Sequence, residues 1–204
     1  MRASFVLLAL LVPALAHAEP VTYHMTGTVT AVSDGNLDRL DLRGTFSVGA
    51  TITLDLTVER STPPIVPDAY TYVYANTGTN LTFTIGSFAC VGAGAAGITV
   101  VNDFVPLGWD EFQYSASPVF VPPVGGASVA SFLINMIDDQ GTSFGSGALP
   151  RPMPAMSGWS TRDFELTLAD PVLLKVGLVG GTFNEVTTPA RGTSWGAIRN
   201  LYRQ

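Results

Sequence analysis

The chain has 204 residues, of which 47% are hydrophobic and only 13% are charged, and its formal net charge is −6. An acidic chain repels phosphate backbones, so this balance argues against nucleic acid as a partner. The single cysteine excludes an internal disulfide, and the length predicts one domain with a substantial core.

Residues 1–18 have the pattern of a secretory signal peptide. Arg2 supplies a positive start, residues 5–15 are apolar apart from Pro13, and Ala16-His17-Ala18 places small residues before a cleavage site. The apolar stretch is too short to span a bilayer. We therefore expect a mature chain that begins at Glu19 and has no transmembrane anchor. It would be secreted, or reside in the periplasm or at the cell surface.

Alternation of apolar and polar residues predicts β-strands throughout residues 19–190. Glycine, proline and aspartate turns separate these strands. The pattern predicts an all-β domain, an antiparallel two-sheet β-sandwich of the jelly-roll type, with a closed barrel as the alternative. No helix of ten residues is expected in the body, and Cys90 should pack inside a strand. The predicted strands are 21–31, 52–58, 81–85, 98–100, 112–114, 131–137, 164–168, 173–183 and an edge strand at 70–74. The segment 131–137 should be buried on both faces, and Gly180-Gly181 should kink the last strand.

One loop carries oxygen ligands at calcium-binding spacing. Asp34, Asn36 and Asp38 stand at alternate positions, as in the first half of an EF-hand loop. Arg39, however, stands where that loop needs glycine. The other interpretation is a polar hairpin with its turn at Asp34-Gly35. The expectation is therefore no cofactor, with calcium at these three residues as the open alternative.

Catalytic residues are scarce in the sequence. The acids Asp110-Glu111 and Asp138-Asp139 are adjacent, and neighbouring strand residues point to opposite faces, so neither pair can serve one glycosidase cleft by itself. His24 is the only histidine after the leader and lies on a polar strand face. No G-x-S-x-G elbow occurs. The sequence predicts a protein that is not an enzyme.

Two tryptophans are candidates for ligand binding. Trp109 and Trp159 could stack on sugar rings, with Asp110 accepting a hydrogen bond from a hydroxyl. The other interpretation is that both tryptophans close the ends of the sandwich core, as large aromatic residues commonly do.

The C-terminal segment, residues 191–204, differs from the body in charge. All sixteen acids precede it, whereas it holds three of the ten basic residues. Ser194 could cap a short amphipathic helix. Such a helix could be a recognition or retention tag, or it could pack on an open end of the sandwich. The residues that a recognition partner would contact are Trp195, Arg199, Tyr202 and Arg203.

Four segments together resemble a known group of proteins. They are YHMTGTVTAV at 23–32, FSVGATITLDL at 46–56, ITVVND at 98–103, and residues 132–150 with DDQG and ALP. These resemble the secreted β-sandwich proteins that bacteria carry alongside PEP-CTERM sorting signals. The chain departs from that group at Ala50, where an acid is expected. It also ends in SWGAIRNLYR rather than in a Pro-Glu-Pro signal, apolar helix and basic stop.

The resemblance implies an exported protein associated with the cell surface or with exopolysaccharide. Together with the lack of reactive groups, it predicts a non-enzymatic surface or matrix protein whose partners are extracellular polysaccharide or cell-surface components. The alternative is a carbohydrate-binding module, with or without stabilising calcium.

Overall fold

The computed structural model of the chain describes residues 20–33, 42–75, 80–92, 95–105, 107–117, 124, 127–170 and 175–188. The predicted signal peptide, the calcium candidates Asp34, Asn36 and Asp38, and the tail 191–204 lie outside these ranges. In the described part of the chain, no helix is long and apolar enough to cross a membrane.

Ten strands account for most of the described residues, which confirms the predicted all-β class. Every predicted strand overlaps an observed one, and Cys90 lies buried in a strand as expected. Only a one-turn helix, α1 (Leu42–Thr45), and a 3-10 turn at Met156–Gly158 interrupt the pattern. The strands are β1 (Pro20–Ser33), β2 (Thr51–Glu59), β3 (Thr71–Ala75), β4 (Asn80–Ile85), β5 (Phe88–Val91), β6 (Ala96–Phe104), β7 (Trp109–Ala116), β8 (Ser128–Asp138), β9 (Thr161–Asp170) and β10 (Lys175–Thr187).

The strands form one antiparallel sheet in the order β3-β6-β7-β8-β9-β10-β1-β2-β4-β5. The predicted division into two sheets is not confirmed, because β9 and β10 join the two halves by continuous hydrogen bonding. The sheet curls so that its halves face each other. Phe83 of β4 stacks on Phe132 of β8 at 4.7 Å, and Tyr23 of β1 meets Phe112 of β7 edge-on at 6.2 Å.

The core lies inside this curl and follows the period-two alternation of the strands. In β2, Ile52, Leu54, Leu56 and Val58 are buried, and the intervening residues face outward. Strand β8 corrects one expectation. Its inner residues are fully buried, but Leu133 and Asn135 on its outer face are partly exposed, so it is not covered on both faces. The outer face has no second layer against β8 in the described residues.

The two glycines at the predicted kink of β10 have different roles in the sheet. A Cβ on Gly181 would lie 2.3 Å from the carbonyl oxygen of Thr28 and 2.5 Å from the Phe164 ring, so β1 and β9 require glycine there. Opposite this point the β1–β10 register shifts between Val29 and Ala31, which leaves Thr30 as a bulged residue. Gly180 has no comparable neighbour.

The β8–β9 loop, residues 139–160, covers the end of the sheet where β1, β7 and β9 begin. Tyrosine hydroxyls from the sheet hold its backbone: Tyr23 donates to the carbonyl of Pro150 at 2.7 Å, and Tyr74 donates to that of Gly147 at 2.9 Å. The loop sends five side chains into the core, Phe144, Leu149, Met153, Met156 and Trp159. This loop is therefore part of the core rather than a surface connection.

The predicted edge strand is confirmed as β3, and backbone groups on its outer side are already hydrogen-bonded. Ile65 exchanges two backbone hydrogen bonds of 2.8 Å with Val73. The Asp68 carboxylate accepts the N–H of Thr71 at 2.7 Å, so that donor is not left for another strand. Strand β5 forms the other edge, where Val91 is 63% exposed.

Candidate functional site

Three aromatic rings form a cluster on the surface, beside the turn that joins β6 and β7. The Phe104 and Trp109 rings lie 5.8 Å apart and tilted, and the Tyr70 ring meets Phe104 edge-on at 6.2 Å. All three residues are half-buried, and none belongs to the core cluster. We call Tyr70, Phe104 and Trp109 the surface aromatic cluster.

The local backbone explains why these rings meet. Phe104 and Trp109 stand directly opposite each other across β6 and β7, so both side chains leave the same face. The turn closes through the N–H of Gly108, which donates to the Phe104 carbonyl at 2.6 Å. Gly108 has φ +65°, a conformation that favours glycine. Val105 and Leu107 in the same turn are 58% and 62% exposed, so the hairpin tip is apolar as well as aromatic.

Asp110 lies beneath this hairpin and faces the core. It is fully buried, and its two oxygens accept the backbone N–H groups of Asp103 at 2.9 Å and of Phe144 at 2.7 Å. The first bond fixes the bulge before the turn, where Asp103 itself has φ +52°. The second bond ties the hairpin to the β8–β9 loop. Asp110 is therefore a positioning residue, and it offers no exposed oxygen to a ligand.

Asp138 stands directly opposite Asp110 on β8 and anchors the start of the same loop. One oxygen accepts the N–H of Gln140 at 2.9 Å. The other accepts the N–H of Thr142 at 2.8 Å and the hydroxyls of Thr142 and Ser143 at 3.0 and 2.9 Å. Burial alone would raise the pKa of Asp138, but these hydrogen bonds outweigh it and hold the pKa below its usual value.

Trp159, the second tryptophan candidate, is inside the molecule. It is 4% exposed, its Nε1 donates to the Pro154 carbonyl at 3.4 Å, and its ring meets Phe144 edge-on at 5.4 Å. No ring face is left for a sugar, so its placement matches the interpretation of a residue that closes the core. Of the three ligand candidates, Trp109, Trp159 and Asp110, only Trp109 reaches the surface.

The remaining candidate groups are dispersed. His24 is on the outer face beside Asp55, as its polar neighbours in sequence predicted. Burial raises the pKa of the Cys90 thiol to about 11. Among the described residues, no group of three or more histidine, cysteine, aspartate or glutamate side chains could hold a metal ion. The structure therefore brings together aromatic residues rather than reactive ones.

Sequence reasoning missed Phe104, which joins Tyr70 to Trp109. A signal was present, because Phe104 directly precedes the turn residues Val105 to Gly108, and a hairpin places the residues that flank its turn side by side.

Comparison of the chain with protein-family models, with curated proteins and with solved structures gives no match. The resemblance to proteins associated with PEP-CTERM signals therefore stays a prediction based on the quoted segments.

Proposed function

We propose that the chain is an exported, non-enzymatic protein of the cell surface or extracellular matrix, and that it binds polysaccharide through the surface aromatic cluster. The observation that carries the proposal is the position of Tyr70, Phe104 and Trp109, which pack on one another outside the core. Aromatic rings at a surface provide flat apolar faces against which the C–H faces of sugar rings can stack.

A polar group beside the cluster supports a hydroxylated ligand. The backbone N–H of Asn102 donates to the Tyr70 carbonyl at 3.0 Å, which places Asn102 next to the cluster. Its side-chain Oδ1 is buried and has no hydrogen-bond partner among the described residues. An unpaired buried acceptor costs about 1–3 kcal/mol, and rotation of the amide toward the cluster would let a sugar hydroxyl satisfy it.

The non-enzymatic part of the proposal is supported by the roles of the two most buried acids. Asp110 and Asp138 do meet across β7 and β8, but both are engaged by the loop donors described above. A glycosidase needs two carboxyl groups that face a shared substrate cleft. These two face the interior of the protein.

The finer features of the fold belong to the same proposal. The two halves of the curled sheet act as the layers of a jelly-roll-like sandwich, and the tail forms a short helix that carries the recognition residues Trp195, Arg199, Tyr202 and Arg203. Calcium at Asp34, Asn36 and Asp38 would stabilise the segment between β1 and α1. Deleting residues 191–204 tests the tail: a tag changes the distribution between cell surface and medium, whereas a packing helix lowers only the melting temperature.

The binding proposal is tested by pull-down on a panel of polysaccharides. The full chain is expressed with its leader, purified after export, and assayed with and without EDTA. We expect at least one polysaccharide to retain the protein, and Trp109→Ala and Tyr70→Ala to weaken retention without lowering the melting temperature. The matched control is Val91→Ala, which truncates a more exposed apolar side chain at the opposite edge. Equal retention of Trp109→Ala and the natural chain would refute the proposal.

A further inference from the structure

A groove of about 330 Å³ lies on the outer face of the sheet, where β8, β9, β10 and β1 run side by side. It is remote in sequence from the surface aromatic cluster and shares no residue with it. Its floor and walls include Thr30, Leu133, Asn135, Asp163, Glu165 and Gly180. This volume is at the lower end of the range found for small-molecule sites.

The floor is open because residue 180 has no side chain, and no close contact with a neighbouring atom demands glycine there. The only heavy atom near a Cβ built on Gly180 is the Phe164 carbonyl oxygen at 3.8 Å, an ordinary contact distance, and its φ is not in the left-handed region. The adjacent Gly181 is the opposite case, since a Cβ there would overlap β1 and β9. A strand glycine marks a bulge, such as the one that Thr30 forms in β1 opposite this point, and it also leaves a place that a ligand can approach closely.

The walls of the groove offer hydrogen-bond acceptors. Asp163 stands opposite Asn135, and Glu165 stands opposite both Leu133 and Gly180. The two carboxylates are exposed and accept only long bonds, from the Thr182 hydroxyl at 3.3 Å and the Thr167 hydroxyl at 3.5 Å. The Oδ1 of Asn135 is buried and has no partner among the described residues. A complementary ligand must therefore supply hydrogen-bond donors.

The charge of the groove narrows the class of ligand further. The groove holds two carboxylates, and none of its described lining residues is basic. A ligand that carries positive charge together with several donors is favoured over a neutral one, since charge-assisted hydrogen bonds are the stronger kind. A bare metal ion is disfavoured, because no metal-binding group of three or more acidic, histidine or cysteine side chains occurs in the part of the chain that the structure describes.

We propose that this groove binds one amine-bearing sugar unit, a glucosamine-type residue of a polysaccharide. The ring lies over Gly180, the ammonium group pairs with Asp163 and Glu165, and a donor of the ligand satisfies the Asn135 oxygen once that amide turns toward the groove. The inference rests on the proposed function in that the ligand is a glycan, and it adds a second site and a substrate class. Cationic sugar units and the acidic body of the protein then attract each other over a distance.

The test is calorimetric titration of the exported full chain with an oligomer of glucosamine at low ionic strength. The pH is set to about 5, so that the amine of each glucosamine unit is protonated. An oligomer of N-acetylglucosamine of the same length is the neutral comparison. We expect the glucosamine oligomer to bind at least roughly tenfold more tightly, the factor that loss of one charge-assisted hydrogen bond represents.

Three variants test whether the glucosamine oligomer binds in the groove. Gly180→Val fills the floor with a side chain that suits a strand, and Glu165→Gln removes a charge without changing shape. The control Glu185→Gln removes the same charge from an exposed position further along β10. Gly180→Val and Glu165→Gln should each weaken binding about tenfold, while Glu185→Gln should bind as the natural chain does. Because Glu165 is exposed, its variant tests the groove even if Gly180→Val folds poorly.

The next outcomes overturn the inference, and the last one separates it from the proposed function. Equal binding of the acetylated oligomer would show that the amine is not recognised. An equal loss in Glu185→Gln, or equal binding of a lysine oligomer, would indicate unspecific attraction to an acidic protein. If the groove variants bind normally while Trp109→Ala abolishes polysaccharide retention, the groove fails and the proposed function stands. If the groove variants weaken binding while Trp109→Ala retains polysaccharide normally, the aromatic cluster is refuted as a binding site and the groove stands.

Discussion

Replacing Asp138 by alanine should loosen the β8–β9 loop and lower the free energy of unfolding by about 3 kcal/mol. The carboxylate accepts four hydrogen bonds, from two backbone N–H groups and two hydroxyls, and is 1% exposed. Bonds to a charged group contribute about 1.5–3 kcal/mol each and are not additive. Gln140 and Thr142 are exposed and can turn to water. The loss is therefore closer to two such bonds than to four.

Urea unfolding followed by tryptophan fluorescence measures this change, because Trp159 lies in the affected loop. A domain is typically stable by about 5–15 kcal/mol, so the variant should still fold. The neighbouring Asp139 is exposed and bonds only the side chain of Gln140 at 3.2 Å among the contacts described. Asp139→Ala is therefore the control, with an expected change within about 0.5 kcal/mol.

The effect of Asp138 should also depend on pH in a defined direction. Because the folded pKa of Asp138 is below its usual value, its contribution is complete at neutral pH and is lost as the pH falls through the folded pKa. The stability difference between the natural chain and Asp138→Ala should therefore narrow below about pH 4. A cost under about 1 kcal/mol at neutral pH, or a difference that does not narrow in acid, would refute this account of the loop.

Four further predictions concern Tyr23, Cys90 and the two adjacent glycines of β10. Tyr23→Phe should cost about 1–2 kcal/mol in urea unfolding, because it removes a buried hydrogen bond to the β8–β9 loop. Burial also raises the pKa of Tyr23, so this phenol should be missing from the absorbance titration of the folded protein, and its ionisation together with the half-buried Tyr70 and Tyr72 would contradict the structure. The Cys90 thiol, with its pKa raised to about 11 by burial, should resist a thiol reagent until the protein unfolds. Gly181→Ala should lower the free energy of unfolding by about 2 kcal/mol or more, because its Cβ would overlap β1. Gly180→Ala should lower it by less than about 1 kcal/mol. Equal effects of the two variants would argue against the strand register described.

The strands were predictable because their alternation is a local property. Residues 51–59 alternate so regularly that the sequence identifies which side chains face the core. The same period-two alternation also indicates which way two of the acids point. Asp110 shares its strand face with Phe112 and Tyr114, and Asp138 shares its face with the apolar residues of β8, so both acids fall on the core side. Their meeting could not be predicted, because it depends on the register of two strands.

The β8–β9 loop was beyond local reasoning for a different reason. Residues 139–160 have no period, and their glycines and prolines indicate turns. Leu149 and Trp159 are nevertheless buried, because the curled sheet leaves an apolar end that some segment must cover. Which segment covers it depends on contacts with distant tyrosines, and the sequence gives no sign of those contacts. For the same reason Trp159 could be placed in the core only once the fold was known.

The position of β1 between β2 and β10 has a consequence for biogenesis. His24 pairs with Thr187 and Val32 with Val179. The hydrogen bonds of β1, the first strand in sequence, are therefore complete only after β10, the last strand, has formed. Contacts so distant along the chain slow folding, because a large loop must close before they form. A polypeptide emerging from a ribosome therefore cannot complete this sheet until the residues of β10 have been synthesised.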